Sequence, residues 1–429
     1  MADDIHQIIA DFKVTGWESA PYERTVAILA DNPAAAEELV RRVIRELSAG
    51  PTFLHYAIDC LPDAAFPDLV PFALDAVGDN PENEGAEDLI SHASLQSPPS
   101  LHPHLDRIFH LQPNWSTYYG QWPWRESGDV HQAFLRGIVN NASGVSQIRK
   151  FPGGGRRTAP EAALSAMLEI RQPDALRFVW EKRGDEAIDH LLMVGFEGPE
   201  QGFRKLYTDT SLHLCFPPDY FRDAKTPVHL VKRHPTWHLS ASTVPPGRFG
   251  GDGDAACQNC GGTLHNIITL PSIPPNLGVT KMAVLSLQTC LSCLGWEKHA
   301  SQLFYQHDDR GIPSGLMGPT ERMIPQWPAA PFRETAVVLS PTPRRWLWQD
   351  WALSNSRENL NRLGGHPAWI QNADYMTCPS CSQRMPHLLQ LDSDLPTRDG
   401  GEWLWGSGGC CYVGWCDRCK VSGFTWQCT

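Results

Sequence analysis

No run of 18 consecutive apolar residues occurs in this 429-residue chain, so no segment reads as a membrane-spanning helix. The opening, MADDIHQIIADFKV, has neither a basic n-region nor an apolar run of signal-peptide length, which predicts a cytoplasmic protein. His-Glu-x-x-His, Gly-x-Ser-x-Gly and the dinucleotide fingerprint are all missing, which removes the sequence grounds for asserting those chemistries. Positive charge is also short: 36 Lys and Arg against 48 Asp and Glu leave a net charge of -12, and the cations are scattered. Such a balance repels phosphate and makes nucleic acid an unlikely partner.

Tryptophan and proline are abundant instead. Sixteen Trp and 36 Pro are present, and eleven of the Trp lie at or after Trp237, where they fill cores or form recognition surfaces. The length calls for two or three domains.

The first 200 residues read as short helices. Asn32 and Pro33 are placed as N-cap and first-turn residue, Leu39, Val40, Val43, Ile44 and Leu47 follow at helical spacing, and Gly50 closes the segment. Similar patterns recur at Tyr22 to Ala30, Phe53 to Leu61, Leu69 to Val77, Leu105 to Leu111, Val130 to Val139, Pro160 to Ile170, Asp174 to Lys182 and Asp185 to Val194. Stacked helix pairs of HEAT-like or armadillo-like type fit this series, and so does an irregular helical domain, because no fixed repeat period is measurable. From Lys205 to Gly250, Pro217, Pro218, Pro227, Pro235, Pro245 and Pro246 interrupt any helix and mark a domain boundary. Beyond it the chain reads as short strands and loops, with Met282 to Thr289 and Tyr412 to Trp415 as strands leading into cysteine pairs.

Eight of the 13 cysteines form four Cys-x-x-Cys pairs: Cys257 and Cys260, Cys290 and Cys293, Cys378 and Cys381, Cys416 and Cys419. Two residues between thiols let a tight turn aim both sulfurs at one ion, and two such turns supply the four soft ligands of tetrahedral Zn²⁺. Gaps of 29 residues between Cys260 and Cys290, and of 34 between Cys381 and Cys416, suit a zinc ribbon with a long insertion. One pair alone would equally suit a redox dithiol; four in a cytoplasmic chain favour two structural zinc ions.

The two halves are similar beyond the thiols. Cys260 is followed by Leu264, Ile267, Ile268 and Leu270, and Cys381 by Met385, Leu388, Leu389 and Leu391, at the same offsets. His234-Pro235-Thr236-Trp237 stands ahead of the first half and His366-Pro367-Ala368-Trp369 ahead of the second. An internal duplication follows, with one zinc per copy; pairing of thiols across copies stays open.

Other candidates weigh less. His234 and His366 are ligands or bases in one reading and packed turn residues in the other. Vicinal Cys410 and Cys411 are either a reactive thiol pair or two buried strand residues. Cys428 is an alternative ligand, Cys60 and Cys215 isolated core thiols, and Gly153-Gly154-Gly155-Arg156-Arg157 an anion cradle or a plain loop. A zinc closed by four thiolates leaves no open position for water or substrate, which argues against catalysis at the metal.

The segment Leu363 to Gln371, the cysteine segment from Cys378 to Asp394, and Trp405 to Cys419 resemble the YwqG-like family of uncharacterised bacterial proteins. The resemblance runs from about Lys205 to the end. It implies that zinc supports the fold without performing chemistry, and, through the association of the family with toxin genes, an immunity or accessory role.

The expected fold class is α+β: an all-α N-terminal region over 1–204, HEAT-like in one reading, followed by a β-rich duplicated domain over 205–429 with two zinc-ribbon-like units, the copies lying at about 230–310 and 362–429. The expected function is non-catalytic protein binding, with a toxin as the candidate partner. The alternatives are a thiol- or histidine-dependent enzyme with a cleft between the duplicated halves, and nucleic-acid binding through the ribbons.

Overall fold

The computed structural model describes residues 2–16, 19–111, 121–141, 149–150, 156–198, 202–221, 232–242, 244–295, 302–318, 324–325, 327–355 and 357–429. The architecture is α+β. The chain divides into a helical unit, 1–194 with 198–203 and 344–348, and a β unit, 195–197 with 204–343 and 349–429. The boundary is therefore crossed several times and is not a single cut at residue 204. Among the described residues no helix is long and apolar enough to cross a membrane.

The helical unit begins with α1 (Ala2–Thr15), α2 (Ser19–Asp31), α3 (Ala35–Glu46), α4 (Thr52–Asp59), α5 (Phe66–Asp79) and α6 (Glu84–Gln96), where α1 packs on α2, α3 on α4 and α5 on α6. It continues through α7 (Pro98–Leu101), α8 (Leu105–His110), α9 (Asp129–Asn140), α10 (Ala159–Ile170), α11 (Pro173–Arg183) and α12 (Ile188–Met193). In α3 the stripe Leu39, Val40, Val43 and Ile44 is buried, and Arg41–Glu37 and Arg42–Glu46 pairs brace its outer face at 2.9 and 2.8 Å. Its start differs from the sequence expectation: Asn32 and Pro33 form a preceding turn through their backbone carbonyls, and the helix opens at Ala35. Its end also falls earlier, at Glu46, with Leu47 extended and Gly50 outside the helix.

A capping box closes the front of α10. The Thr158 hydroxyl accepts from the Glu161 N–H at 3.4 Å, and the Glu161 carboxylate accepts from the Thr158 N–H at 2.6 Å. Three helices of this unit escaped the sequence reading: α1, α6 and the four-residue α7. In α6 the reason is visible: Ser91, His92, Ser94 and Gln96 are buried, so its inward face is not an apolar stripe. The short return segment 344–348 is anchored here by Arg345, which donates to the Leu61 carbonyl at 2.6 Å and to Gln96 Oε1 at 2.7 Å. A two-stranded ladder of β1 (Arg149–Lys150) and β2 (Arg156–Arg157) interrupts the helical series. Gly153, Gly154 and Gly155 lie outside the described residues.

In the β unit, β3 (Phe196–Glu197) pairs with β4 (Arg204–Lys205). The main sheet comprises β5 (Ser211–Cys215), β6 (Gly247–Phe249), β7 (Asp252–Ala256), β8 (Thr263–Leu270), β9 (Leu285–Thr289), β10 (Leu303–His307), β11 (Pro313–Met317), β12 (Thr335–Pro341), β13 (Arg362–Gly364), β14 (His387–Asp392), β17 (Cys410–Cys416) and β18 (Val421–Gln427). A small ladder of β15 (Leu395–Pro396) and β16 (Glu402–Trp403) lies outside it. The order is β11-β10-β18-β17-β14-β13-β5-β12-β6-β8, with β7 continuing the edge of β8 that β6 occupies and β9 on the other edge. Every pairing is antiparallel. The Ser286 N–H of β9 donates to the Gly311 carbonyl, in the turn joining β10 to β11, at 2.9 Å, so the sheet curls until its two ends touch. Gly311 has φ 77°, and a Cβ there would sit 1.9 Å from the Val284 carbonyl, which restricts the position to glycine.

The strand β10 follows the first set of thiols but pairs with β18 of the second copy. The duplicated halves thus share one sheet. Its apolar face carries Leu212, Leu214, Leu363, Leu389, Leu391, Val413 and Phe424 in one core with Trp237, Trp405, Trp415 and Trp426. Most described tryptophans of this unit therefore fill the core; Trp327 stands 78% exposed.

Candidate metal centres

The first Cys-x-x-Cys pair of each copy sits on a knuckle of the same design. Cys257 N–H donates to the Gly262 carbonyl and Gly261 N–H to the Cys257 carbonyl; Cys378 N–H donates to the Gln383 carbonyl and Ser382 N–H to the Cys378 carbonyl. The fourth residue after each leading cysteine, Gly261 or Ser382, takes a left-handed conformation, at φ 76° and 57°. This turns the chain back so that both sulfurs of a pair face the same point. From the knuckle the chain enters β8 or β14, and the neighbouring strand, β9 or β17, returns the second pair to the same place. The second pairs differ in form: Cys290 and Cys293 start a helical turn, Leu291–Leu294, whereas Cys416 and Cys419 occupy the turn between β17 and β18.

The eight thiols form two clusters, Cys257, Cys260, Cys290 and Cys293 in one and Cys378, Cys381, Cys416 and Cys419 in the other, with the sulfurs of each within 4.8 Å of one another. The Sγ separations are 3.8 Å for Cys257 and Cys293, 3.5 Å for Cys260 and Cys290, and 3.7 Å for Cys381 and Cys416. A disulfide would need about 2.05 Å. Four ligands at about 2.3 Å around a tetrahedral ion stand about 3.8 Å apart, so the donor set and its spacing fit Zn²⁺. The thiols of each centre come from one copy.

Surroundings support each cluster. In the first, Cys257, Cys290 and Cys293 are buried and Cys260 is half-buried. The Tyr305 hydroxyl accepts from the Cys290 N–H at 3.1 Å, and His265 Nδ1 accepts from the Leu291 N–H at 3.1 Å while Nε2 meets the Ala329 carbonyl at 3.1 Å. That second contact makes Nε2 the protonated nitrogen, so His265 holds the loop and is not a ligand. In the second cluster Cys381 and Cys419 are half-buried. The Gln383 backbone N–H, bonding to the Cys381 sulfur, brings that thiol down to about 7.

The remaining candidates fall elsewhere. Cys410 and Cys411 are buried as the first two residues of β17, and burial pushes both thiols well above their ordinary range. Cys410 Sγ donates to Asp392 Oδ1 at 3.6 Å. His234 is 1% exposed, and its Nδ1 bonds to Thr236 within the turn it begins. His366 is packed edge-on against Tyr207. Cys428 packs beside Gly406, outside both clusters, and burial pushes Cys60 and Cys215 up to about 11.

One feature had no sequence signal. Ser340, His213, Arg362, Gln390, Tyr412 and Thr425 face one another across β12, β5, β13, β14, β17 and β18 in a single register row. All six are at most 3% exposed, so the face of the sheet opposite the apolar core is also buried and is polar.

No protein-family profile matches the chain, and no solved structure matches it. An uncharacterized protein, YpfL, of Salmonella typhimurium is 39% identical over 69 residues, 16% of this chain. The match spans only 15% of that protein's length.

Proposed function

We propose that the chain is a zinc-stabilised, non-catalytic protein-binding protein whose β unit is of YwqG-like type, working in the cytoplasm and taking a bacterial toxin as its partner. The observation that carries the binding role is the pair Ile324 and Trp327, 91% and 78% exposed in the long connection between β11 and β12. Large apolar side chains held in water at neighbouring positions suit an interface anchor. The tetrathiolate centres support a structural use of the metal, because four sulfurs around one ion leave no position for substrate. Each filled centre would contribute on the order of 10 kcal/mol to folding, by analogy with small zinc domains. The net charge of -12 favours a basic partner.

The test is co-purification at native expression, followed by reconstitution with the purified candidate partner. Ile324→Ser with Trp327→Ser should abolish the complex while both zinc ions stay bound. A variant that binds as tightly as the parent chain would remove this reading.

A further inference from the structure

We propose that a cleft beside the second thiol cluster binds a small oxyanion, a phosphate or a carboxylate. The cleft encloses about 340 Å³, and Arg204, Lys205, Arg384 and Arg418 line it together with His387 and Trp415. That space holds a phosphate ester or a short dicarboxylate.

The charges on its walls are not mutually cancelled. Glu197 is shared by two guanidiniums, accepting from Arg204 Nε at 3.0 Å and lying 3.2 Å from Arg384 Nε. Asp417 lines the cleft too, but its oxygens already accept from the Thr280 N–H at 2.8 Å, the Thr280 hydroxyl and Trp415 Nε1 at 3.2 Å. Lys205 pairs with the exposed Asp209 and lies over the Tyr207 ring, 4.7 Å from its centroid. Among the described residues Arg418 is exposed and has no carboxylate partner. Behind the cleft stands the fully buried Arg362, whose charge acts on His387.

His387 supplies the second requirement, a buried group with spare hydrogen-bonding capacity. It is 3% exposed, and its Nε2 has no hydrogen-bond partner among the described residues. An uncharged imidazole beside guanidiniums can bond an oxyanion without adding to the cost of burying charge.

A filled tetrathiolate next door carries a charge of -2, and Cys381 and Cys416 line the same cleft. The same cations would serve that centre if they bonded to its sulfurs. Among the described contacts none of the four does so: Arg204 and Arg384 turn to Glu197 and Lys205 to Asp209, while the Cys381 sulfur is bonded by a backbone N–H.

The experiment is calorimetric titration of the full-length, zinc-loaded protein with inorganic phosphate, methyl phosphate and succinate at constant ionic strength. Saturable binding of the phosphates alone assigns a phosphate site, and of succinate alone a carboxylate site; both outcomes support the proposal. Arg418→Ala and, separately, Lys205→Ala should each weaken that binding about tenfold, with zinc content and melting temperature unchanged. Absence of saturable heat up to about 10 mM of all three probes, or unchanged affinity in both variants, would overturn it. Loss of zinc from Arg418→Ala would overturn it as well, by tying the cations to the metal centre.

Discussion

Arg362 stands directly opposite His213 across the β5–β13 pair, each at most 1% exposed. Burial pushes the His213 imidazole well below its ordinary range, and the Arg362 charge pushes it further in the same direction. The guanidinium is itself brought down to about 10 by burial, while its Nη2 donates to the His366 carbonyl at 2.8 Å. A polar row with a cation at its centre holds only while its members are bonded.

Arg362→Ala should therefore destabilise the fold by about 3 kcal/mol or more, because it opens a cavity and strips donors from a buried face. Arg362→Met fills much of the same space without a charge and should cost distinctly less. Urea unfolding of the two variants measures the difference. Equal losses would mean that filling the space recovers nothing, so that the lost hydrogen bonds and charge, and not packing, decide stability at this position.

His307 provides a pH dependence of known sign. Its Nδ1 lies 3.1 Å from the Gly311 carbonyl and its Nε2 2.8 Å from the Ser422 hydroxyl, so the neutral ring donates at one nitrogen and accepts at the other. Burial lowers its pKa from 6.5 to about 4. The contribution is complete above 6.5; as pH falls from there to about 4 the unfolded chain takes up a proton that the folded chain refuses. Stability from this group drops by about 1.4 kcal/mol per pH unit through that window. Asp392, raised to about 6 by burial, has the opposite slope. It is common to the parent and to His307→Asn, so the difference between the two proteins, measured by chemical denaturation from pH 7 to 5, isolates the histidine. A pH-independent difference would contradict the assignment.

The two centres should lose metal at different rates. Cys381 and Cys419 are half-buried and Cys381 borders the cleft, while three of the four sulfurs of the first centre are buried. A competing chelator gains access first at the more open cluster. Zinc release followed with a colorimetric chelator should be biphasic, and Cys381→Ser should remove the faster phase. A single phase in the parent chain would show that the exposure difference does not govern release.

How much of this was readable in advance depended on how local each feature is. The stripe of α3 and the four Cys-x-x-Cys turns are written within a few residues, so spacing reveals them. Which pair meets which is decided by the pairing of β8 with β9 and of β14 with β17, between residues far apart in sequence. Nothing local marks the pairing of β10 with β18 or the return of Arg345 to the helical unit. The polar row was hidden for the same reason: each strand contributes one residue, and Arg362 in its own segment looks like any surface arginine. Helix α6 was obscured because Ser91, His92 and Gln96 occupy a buried face that periodicity expects to be apolar.

The sharpest separation between a structural and a chemical use of the metal comes from Cys257→Ser and Cys378→Ser. Each removes one thiolate from a different cluster, leaving three sulfurs that bind Zn²⁺ far more weakly. Elemental analysis should find two zinc ions per chain in the parent, about one in each single variant and almost none in the double variant. The first cluster is joined to the main core, which includes Cys257, Cys290 and Cys293, whereas the second forms a smaller cluster with Met376, Met385 and Val421. Cys257→Ser should accordingly lower the melting temperature more than Cys378→Ser does. The double variant should not fold cooperatively. Full zinc loss with an unchanged melting temperature would show that the sheet stands without its metals, and the reason for keeping eight thiols would then have to be chemical.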